Sequence, residues 1–204
     1  RFAGLSEDGL SLWYYTDKET NEEKTTTTYS TGDFYLCGDP NPDLYGGFGT
    51  SITFHGFDLS TQFSYLVGGL TYDYGYAGMM GNPTATSVGN RWHKDVLKAW
   101  SPENPSSTIP RWYFNDLNTT GSSDRFLIDG SYLNLQNIQV GYTLPDSWTS
   151  HLKIKNLRLY FVCDNVYYWS KRKGLDPRRS ISGVGTSGKI APFRTYSGGI
   201  SLQF

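Results

Sequence analysis

Counted back in twos from Phe204, the chain reads Leu202, Ile200, Gly198 and Tyr196, while Gln203, Ser201, Gly199, Ser197 and Thr195 between them are polar or small. Strict period-two alternation predicts a β-strand with one apolar and one polar face. Upstream, Leu157, Leu159 and Phe161 alternate with Arg158, Tyr160 and Val162, and the segment ends in the aromatic cluster Tyr167, Tyr168 and Trp169. Ile138, Val140, Tyr142 and Leu144 alternate with Asn137, Gln139, Gly141 and Thr143 before Pro145, which has no N–H to give a ladder. Residues 47–56 and 57–69 alternate around a tight turn at His55-Gly56-Phe57-Asp58 and predict a hairpin. Gly9 to Thr16, with Leu10, Leu12 and Tyr14 on one parity, makes a further candidate, for about six strands in all.

A strand of a soluble sandwich seldom ends its apolar series on the terminal carboxylate, whereas an outer-membrane barrel strand turns its apolar positions to lipid and its polar ones to a wet lumen. Tyr196 and Phe204 suit the two interfacial aromatic girdles, and Tyr196, Ile200, Leu202 and Phe204 together form a candidate terminal assembly signal. Leu133 and Leu135 sit on the parity opposite to Ile138, so the pattern slips near Asn137, at either a bulge or a departure from the bilayer. Tight turns at 55–58 and 145–155 would be periplasmic, and the long segments 17–46, 70–130 and 170–194 extracellular. Six strands cannot close a membrane barrel, which needs at least about eight, and plugged transporters use about 22. The expected fold is therefore all-β: an antiparallel transmembrane β-barrel segment, an arc of something larger.

Composition permits this without requiring it. The 204 residues are 37% hydrophobic and 16% aromatic, with 23 glycines, a mixture that favours strands and turns. A formal net charge of -1 with interspersed charges argues against a nucleic-acid partner. There is no run of about 18 apolar residues, which a barrel does not need. No secretory signal follows Arg1, so the chain reads as processed or cut. Cys37 and Cys163 lack the C-x-x-C spacing of a zinc or dithiol site, and a long-range disulfide between them stays open.

Sites for chemistry are sparse. Gly183-Val184-Gly185-Thr186-Ser187-Gly188 fits G-x-G-x-x-G but has neither the preceding strand nor the following helix of a nucleotide cradle. His55, His93 and His151 are isolated from one another, and Asp39 and Asp43 lie among Pro and Asn in turn-forming sequence rather than in an EF-hand spacing. No metal or cofactor is expected. Glu103, Asp124 and Asp129 are the carboxylates that glycoside cleavage would need, with nothing in the sequence to pair them, so no catalytic residue is assigned. The segment 70–130 exceeds the usual loop length and carries Trp92, Trp100, Trp112 and Tyr113. Those rings would either stack on a ligand or a partner lipoprotein, or pack inside the folded loop. Trp92, Val96 and Trp100 have helical spacing, which predicts a short helix there. Lys171, Arg172, Lys173, Arg178 and Arg179 would either meet anionic headgroups or be solvated.

Four segments, in order, carry a family likeness. They are Gly38-Asp39-Pro40-Asn41-Pro42-Asp43-Leu44-Tyr45-Gly46-Gly47-Phe48 with Phe57-Asp58-Leu59, then Trp100-Ser101-Pro102-Glu103-Asn104-Pro105 with Ile109-Pro110-Arg111. Asp129-Gly130-Ser131-Tyr132-Leu133-Asn134-Leu135 follows, running to Val140-Gly141-Tyr142-Thr143-Leu144-Pro145. The last comprises Leu159-Tyr160-Phe161, Asp164-Asn165, Gly174-Leu175-Asp176-Pro177, Arg194-Thr195-Tyr196 and Phe204. From residue 38 onward the chain resembles the final strands of the SusC/RagA family of TonB-dependent outer-membrane importers. The resemblance implies that 1–204 is the C-terminal part of a plugged barrel in a bacterial outer membrane of Bacteroidota type, with the plug, the N-terminal strands and the TonB-contacting segment elsewhere. It implies import of glycans or peptides, a SusD-like lipoprotein lid, energy from TonB, contact with outer-membrane lipid, and no enzyme activity. Rival readings are a soluble secreted carbohydrate-binding β-sandwich and a small outer-membrane barrel that transports nothing.

Overall fold

The computed structural model describes residues 1–85, 91–119, 121–149, 154–171 and 192–204. In chain order the elements are β1 (Phe2–Leu5), β2 (Ser11–Thr16), β3 (Glu23–Thr26), β4 (Leu44–Phe54), β5 (Phe57–Val67), β6 (Leu70–Tyr72) and α1 (Tyr74–Met79). They continue with β7 (Leu127–Asp129), β8 (Tyr132–Thr143), α2 (Asp146–Thr149), β9 (Asn156–Ser170) and β10 (Thr195–Gln203). The chain divides into two compact units, the first built on Arg1–Pro40 and Leu70–Ile128, the second on Asn41–Gly69 with the described residues from Asp129 onward.

The second unit is a five-stranded sheet in the order β10-β9-β8-β5-β4, antiparallel throughout. Its hairpin turns where the sequence predicts. His55 and Gly56 both have positive φ, 49° and 85°, between the paired Phe54 and Phe57, which is the backbone of a type I′ turn and matches the right-handed twist of the strands. At the same end β8 and β9 are joined by 144–155, within which α2 forms the only turn of helix described.

The parity slip near Asn137 is a β-bulge. On β5, Gln62 and Phe63 are adjacent, yet their partners on β8 are Asn137 and Leu135, so Gln136 is extra. The extra residue rotates the first part of β8 by one position, which returns Leu133 and Leu135 to the face that carries Ile138, Val140 and Tyr142. Were Gln136 taken into a regular ladder and not bulged out of it, the strand would turn two leucines to the polar face. On the neighbouring strand Asn165 absorbs the irregularity at φ 52°, a conformation Asn tolerates better than most residues.

The first unit contains the three-stranded sheet β1-β2-β3 and the two-stranded sheet β6-β7. Trp13 is its largest buried residue, 1% exposed, edge-on to Phe2 and Tyr29 at 5.6 and 5.0 Å, with Met80 and Phe126 also buried. This corrects the sixth candidate strand. Gly9 to Thr16 does contain a strand, but it pairs with β1 and β3 and is no part of the five-stranded sheet. The parity also differs: Ser11 and Trp13 are buried, whereas Leu12 and Tyr14 are only half-buried. The alternation was real, and the indole rather than the aliphatic series faces the core. The segment 70–130 carries elements of its own, including short 3₁₀ turns at Lys94–Lys98 and Asp124–Phe126. The helix expected around Trp92 to Trp100 is the first of these, one turn rather than an α-helix.

Candidate lipid-facing wall and aromatic loop module

Residues paired across antiparallel strands share a face, so the register sorts every side chain of the second unit. One face carries Phe54, Phe57, Tyr142, Leu159 and Ile200 along one line, then Ile52, Leu59, Val140 and Phe161 along the next. Beyond the bulge it continues with Phe48, Phe63, Leu135 and Tyr167, then Tyr65, Leu133 and Trp169. The other face carries Ser51, Ser60, Gln139 and Val162, then Thr53, Asp58, Gly141, Tyr160 and Gly199, with Arg158 and Ser201 beyond. Five strands about 4.8 Å apart and roughly 35 Å long present on the order of 800 Å² per face, well above the few hundred Å² of apolar patch that a soluble monomer exposes. Ile200 is 65% exposed, Phe204 75% and Phe54 70%, so no globular interior covers this apolar face.

Aromatic rings gather towards the ends of the apolar face. Phe57 and Tyr142 lie 4.4 Å apart near the hairpin turn, and Tyr167 and Trp169 lie 4.8 Å apart towards the far end. Ile52, Leu59, Val140, Leu159, Ile200 and Leu202 fill the band between. Tyr196 lies beside Phe161 at 6.0 Å, and Phe204 is the last residue beyond β10. The line of partners that begins at Phe54 reaches β10 at Ile200, four residues short of Phe204, and a stagger of this kind is what tilted strands closing a cylinder require. Eleven residues of β4 at about 3.4 Å each, tilted by about 45°, span about 26 Å, the height of an apolar membrane band.

The polar face is tied together laterally. Arg158 donates Nε to Asp58 Oδ1 at 2.9 Å and a terminal nitrogen to Oδ2 at 2.5 Å, a bidentate pair reaching from β9 across β8 to β5. Gly141 lies beneath it, and a Cβ there would strike both partners. Asn137 donates to Asp164 at 2.7 Å beside the bulge. Beyond the strand ends, Lys171 donates to Asp129 at 2.6 Å and Ser131 N–H to its other oxygen at 2.8 Å. The Lys171 ammonium, then Ser131, hold the Asp129 carboxyl down to about 2.

The four rings singled out in the loop divide. Trp92 and Trp112 meet edge to face at 5.4 Å, and both indoles donate to the carbonyl of Gly81, at 3.1 and 3.2 Å. Trp100 packs on Gly9, where no Cβ would fit. Tyr113 is 63% exposed, with the Arg111 guanidinium 5.3 Å from its ring. Packing within the first unit therefore accounts for Trp92 and Trp100, while Tyr113 with its neighbour Phe114 is left on the surface. The three carboxylates have separate partners: Glu103 its own N–H and Ser101, Asp124 Phe2 N–H and Tyr35, and Asp129 Lys171. Among the described residues no three His, Cys, Asp or Glu side chains could hold a metal ion. His93 Nδ1 accepts from Asp95 N–H and caps the 3₁₀ turn, while Asp43 N–H opens β4 by donating to Val67. Both cysteines are free thiols. His151, the glycine motif at 183–188 and Arg172, Lys173, Arg178 and Arg179 lie outside the described residues.

A staggered antiparallel sheet, apolar on one exposed face and polar on the other, defines a segment of a transmembrane β-barrel, not closed by these strands alone. Among the described residues no helix is long and apolar enough to cross a membrane. No family model matches the chain. It is 30% identical to TonB-dependent receptor P3 of Formosa agariphila over 99% of its own length and 20% of that protein's, and 27% identical to TonB-dependent receptor SusC of Bacteroides thetaiotaomicron over 87% and 17%. The solved structure of the RagAB peptide transporter superposes on the whole chain with a TM-score of 0.77 at 26% identity, and the closed-closed RagAB importer with 0.78 at 25%, each over 22% of that chain. The protein is a partial chain of a SusC/RagA-type TonB-dependent receptor. It spans about a fifth of the length of the relatives it matches, and those relatives are receptors and transporters.

Proposed function

We propose that 1–204 is the C-terminal part of the barrel of a TonB-dependent active transporter in a bacterial outer membrane. The whole receptor imports glycans or peptides, with a SusD-like surface lipoprotein as its lid and with energy delivered by TonB through the N-terminal part. The observation that carries this is the one-sided sheet: a lipid-facing band with aromatic ends, backed by a hydrogen-bonded polar wall suited to a wet lumen. A soluble sandwich would bury the apolar face against a second sheet, and the relatives' names favour a transporter over a passive barrel.

Tyr113 and Phe114 are the side chains we assign to lipoprotein contact, since Trp92 and Trp112 pack on each other, Trp100 packs on Gly9, and Tyr113 and Phe114 are more exposed, at 63% and 61%, than Trp112 at 39%. The test is uptake by cells that carry the complete receptor, with labelled oligosaccharides and labelled peptides offered separately. Saturable uptake of one class that disappears when tonB is deleted is the expected result. Uptake that persists unchanged without TonB would overturn the proposal.

A further inference from the structure

Arg194 stands just before β10, ten positions from Phe204. At about 3.4 Å per residue and a tilt of about 45°, that separation is about 24 Å along the barrel axis, the height of an apolar membrane band. Its backbone is tied to β9, because Asn165 donates its side-chain N–H to the Phe193 carbonyl at 3.1 Å. The guanidinium lies on the apolar side of the sheet, where it donates to the Tyr196 hydroxyl and sits beside Cys163 and Tyr167. Tyr196 and Cys163 are register partners in the line that contains Ile138. Asp164, opposite Thr195, is on the polar face and accepts from Asn137. Arg158 and Lys171 are each held by a carboxylate, Asp58 and Asp129, whereas Arg194 meets no carboxylate among the described residues.

We propose that Arg194 and Tyr196 bind a phosphate group of an outer-leaflet lipid, an assignment that rests on the reading of this face as lipid-facing. The planar guanidinium presents a fork of donors that matches two phosphate oxygens at once. The Tyr196 oxygen accepts from Arg194, so its own proton is left to donate to the same anion. Tyr167, Trp169 and Phe193 are exposed at this end, 52%, 48% and 75%, and supply apolar surface at headgroup level for the lipid that carries the phosphate. The tight turns lie at the opposite end of the sheet, and short turns mark the periplasmic side, so the cation faces the outer leaflet. A cation set among rings at that depth meets the phosphates of the headgroup layer, and an anion of this kind is the partner the neighbouring side chains do not provide.

The experiment uses the complete receptor, purified and delipidated in detergent, with phosphorylated lipid A, the same lipid A after phosphatase treatment, and inorganic phosphate as probes. Bound lipid is weighed by native mass spectrometry as each form is titrated. The phosphorylated form is expected to bind about fivefold more tightly than the dephosphorylated one, and Arg194→Gln to lower its affinity by a similar factor. Tyr196→Phe removes only an oxygen atom, should weaken binding about two- to threefold, and keeps the test intact if the Arg194 variant fails to assemble. Equal affinity for the two forms of lipid A, unchanged affinity in the variants, or displacement of the lipid by excess inorganic phosphate would each overturn the assignment. A nitroxide at Ile200 separates the two levels. Collision with oxygen there, combined with variant-insensitive lipid binding, removes the phosphate site alone, whereas collision with a water-soluble reagent removes the lipid-facing wall on which the site rests.

Discussion

Gly141 shows how little space the polar wall leaves. The Asp58 and Arg158 side chains meet directly over it, so Gly141→Ala should push the pair apart and lower stability by about 1 kcal/mol, as expected for a partly exposed bidentate pair. In an Asp58→Ala background the same glycine substitution should cost almost nothing. A double-mutant cycle on the temperature at which the barrel unfolds in electrophoresis checks this. Asp129 gives a pH signature. Its carboxyl is held at about 2 against an ordinary 3.8, so the stability it contributes is complete above about pH 4 and is lost as pH falls towards 2. Calorimetric unfolding of Asp129→Asn should therefore lie below the unsubstituted receptor at pH 7 and converge with it near pH 2. None of these partnerships was legible beforehand, because Asp58 and Arg158 are a hundred residues apart and only the register brings them together. The two readings of the tryptophans stayed open in the sequence for a related reason. Spacing cannot reveal that Trp92 and Trp112 share one carbonyl, so the loop's exposed side chains emerged only from its folding.

At the scale of strands, alternation was a sufficient guide wherever the strand lies in the large sheet. Five candidate segments became β4, β5, β8, β9 and β10, and the slip near Asn137 became the bulge at Gln136. The failure was β2. A period of two states that one face differs from the other, but not which sheet the strand joins, and Trp13 outweighs Leu12 and Tyr14 in choosing the buried side. On β10 the faces predict opposite responses to charge. Ile200→Lys should cost about 2–4 kcal/mol if it lies near the bilayer midplane, whereas Ser201→Lys on the polar face should cost under about 0.5 kcal/mol. Heat-modifiable migration of the assembled receptor distinguishes them. Deleting Gln136 tests the bulge: Leu135 and Leu133 would then stand two and four places before Ile138 in an unbroken ladder and keep the apolar face, so assembled receptor should stay near its usual level in membrane fractions. Deleting Gln136 and Asn137 together would turn both leucines to the polar side and lower it severalfold.

For the whole molecule, the central claim is that one face of the five-stranded sheet touches hydrocarbon and the other touches water. Sequence carried that claim because lipid and lumen impose opposite demands on neighbouring residues, a constraint strong enough to survive without any ligand or closed barrel. The most direct measurement places nitroxide labels one at a time at 57–60, 138–141 and 200–201 in the complete receptor, with Cys37 and Cys163 replaced, in lipid bilayers. Collision with oxygen, which concentrates in hydrocarbon, and with a water-soluble nickel complex is then read at each site. The account predicts that Phe57, Leu59, Ile138, Val140 and Ile200 collide mainly with oxygen, and Asp58, Ser60, Gln139, Gly141 and Ser201 mainly with nickel. Equal oxygen and nickel collision at neighbouring positions, or protection of both parities from both reagents, would contradict it.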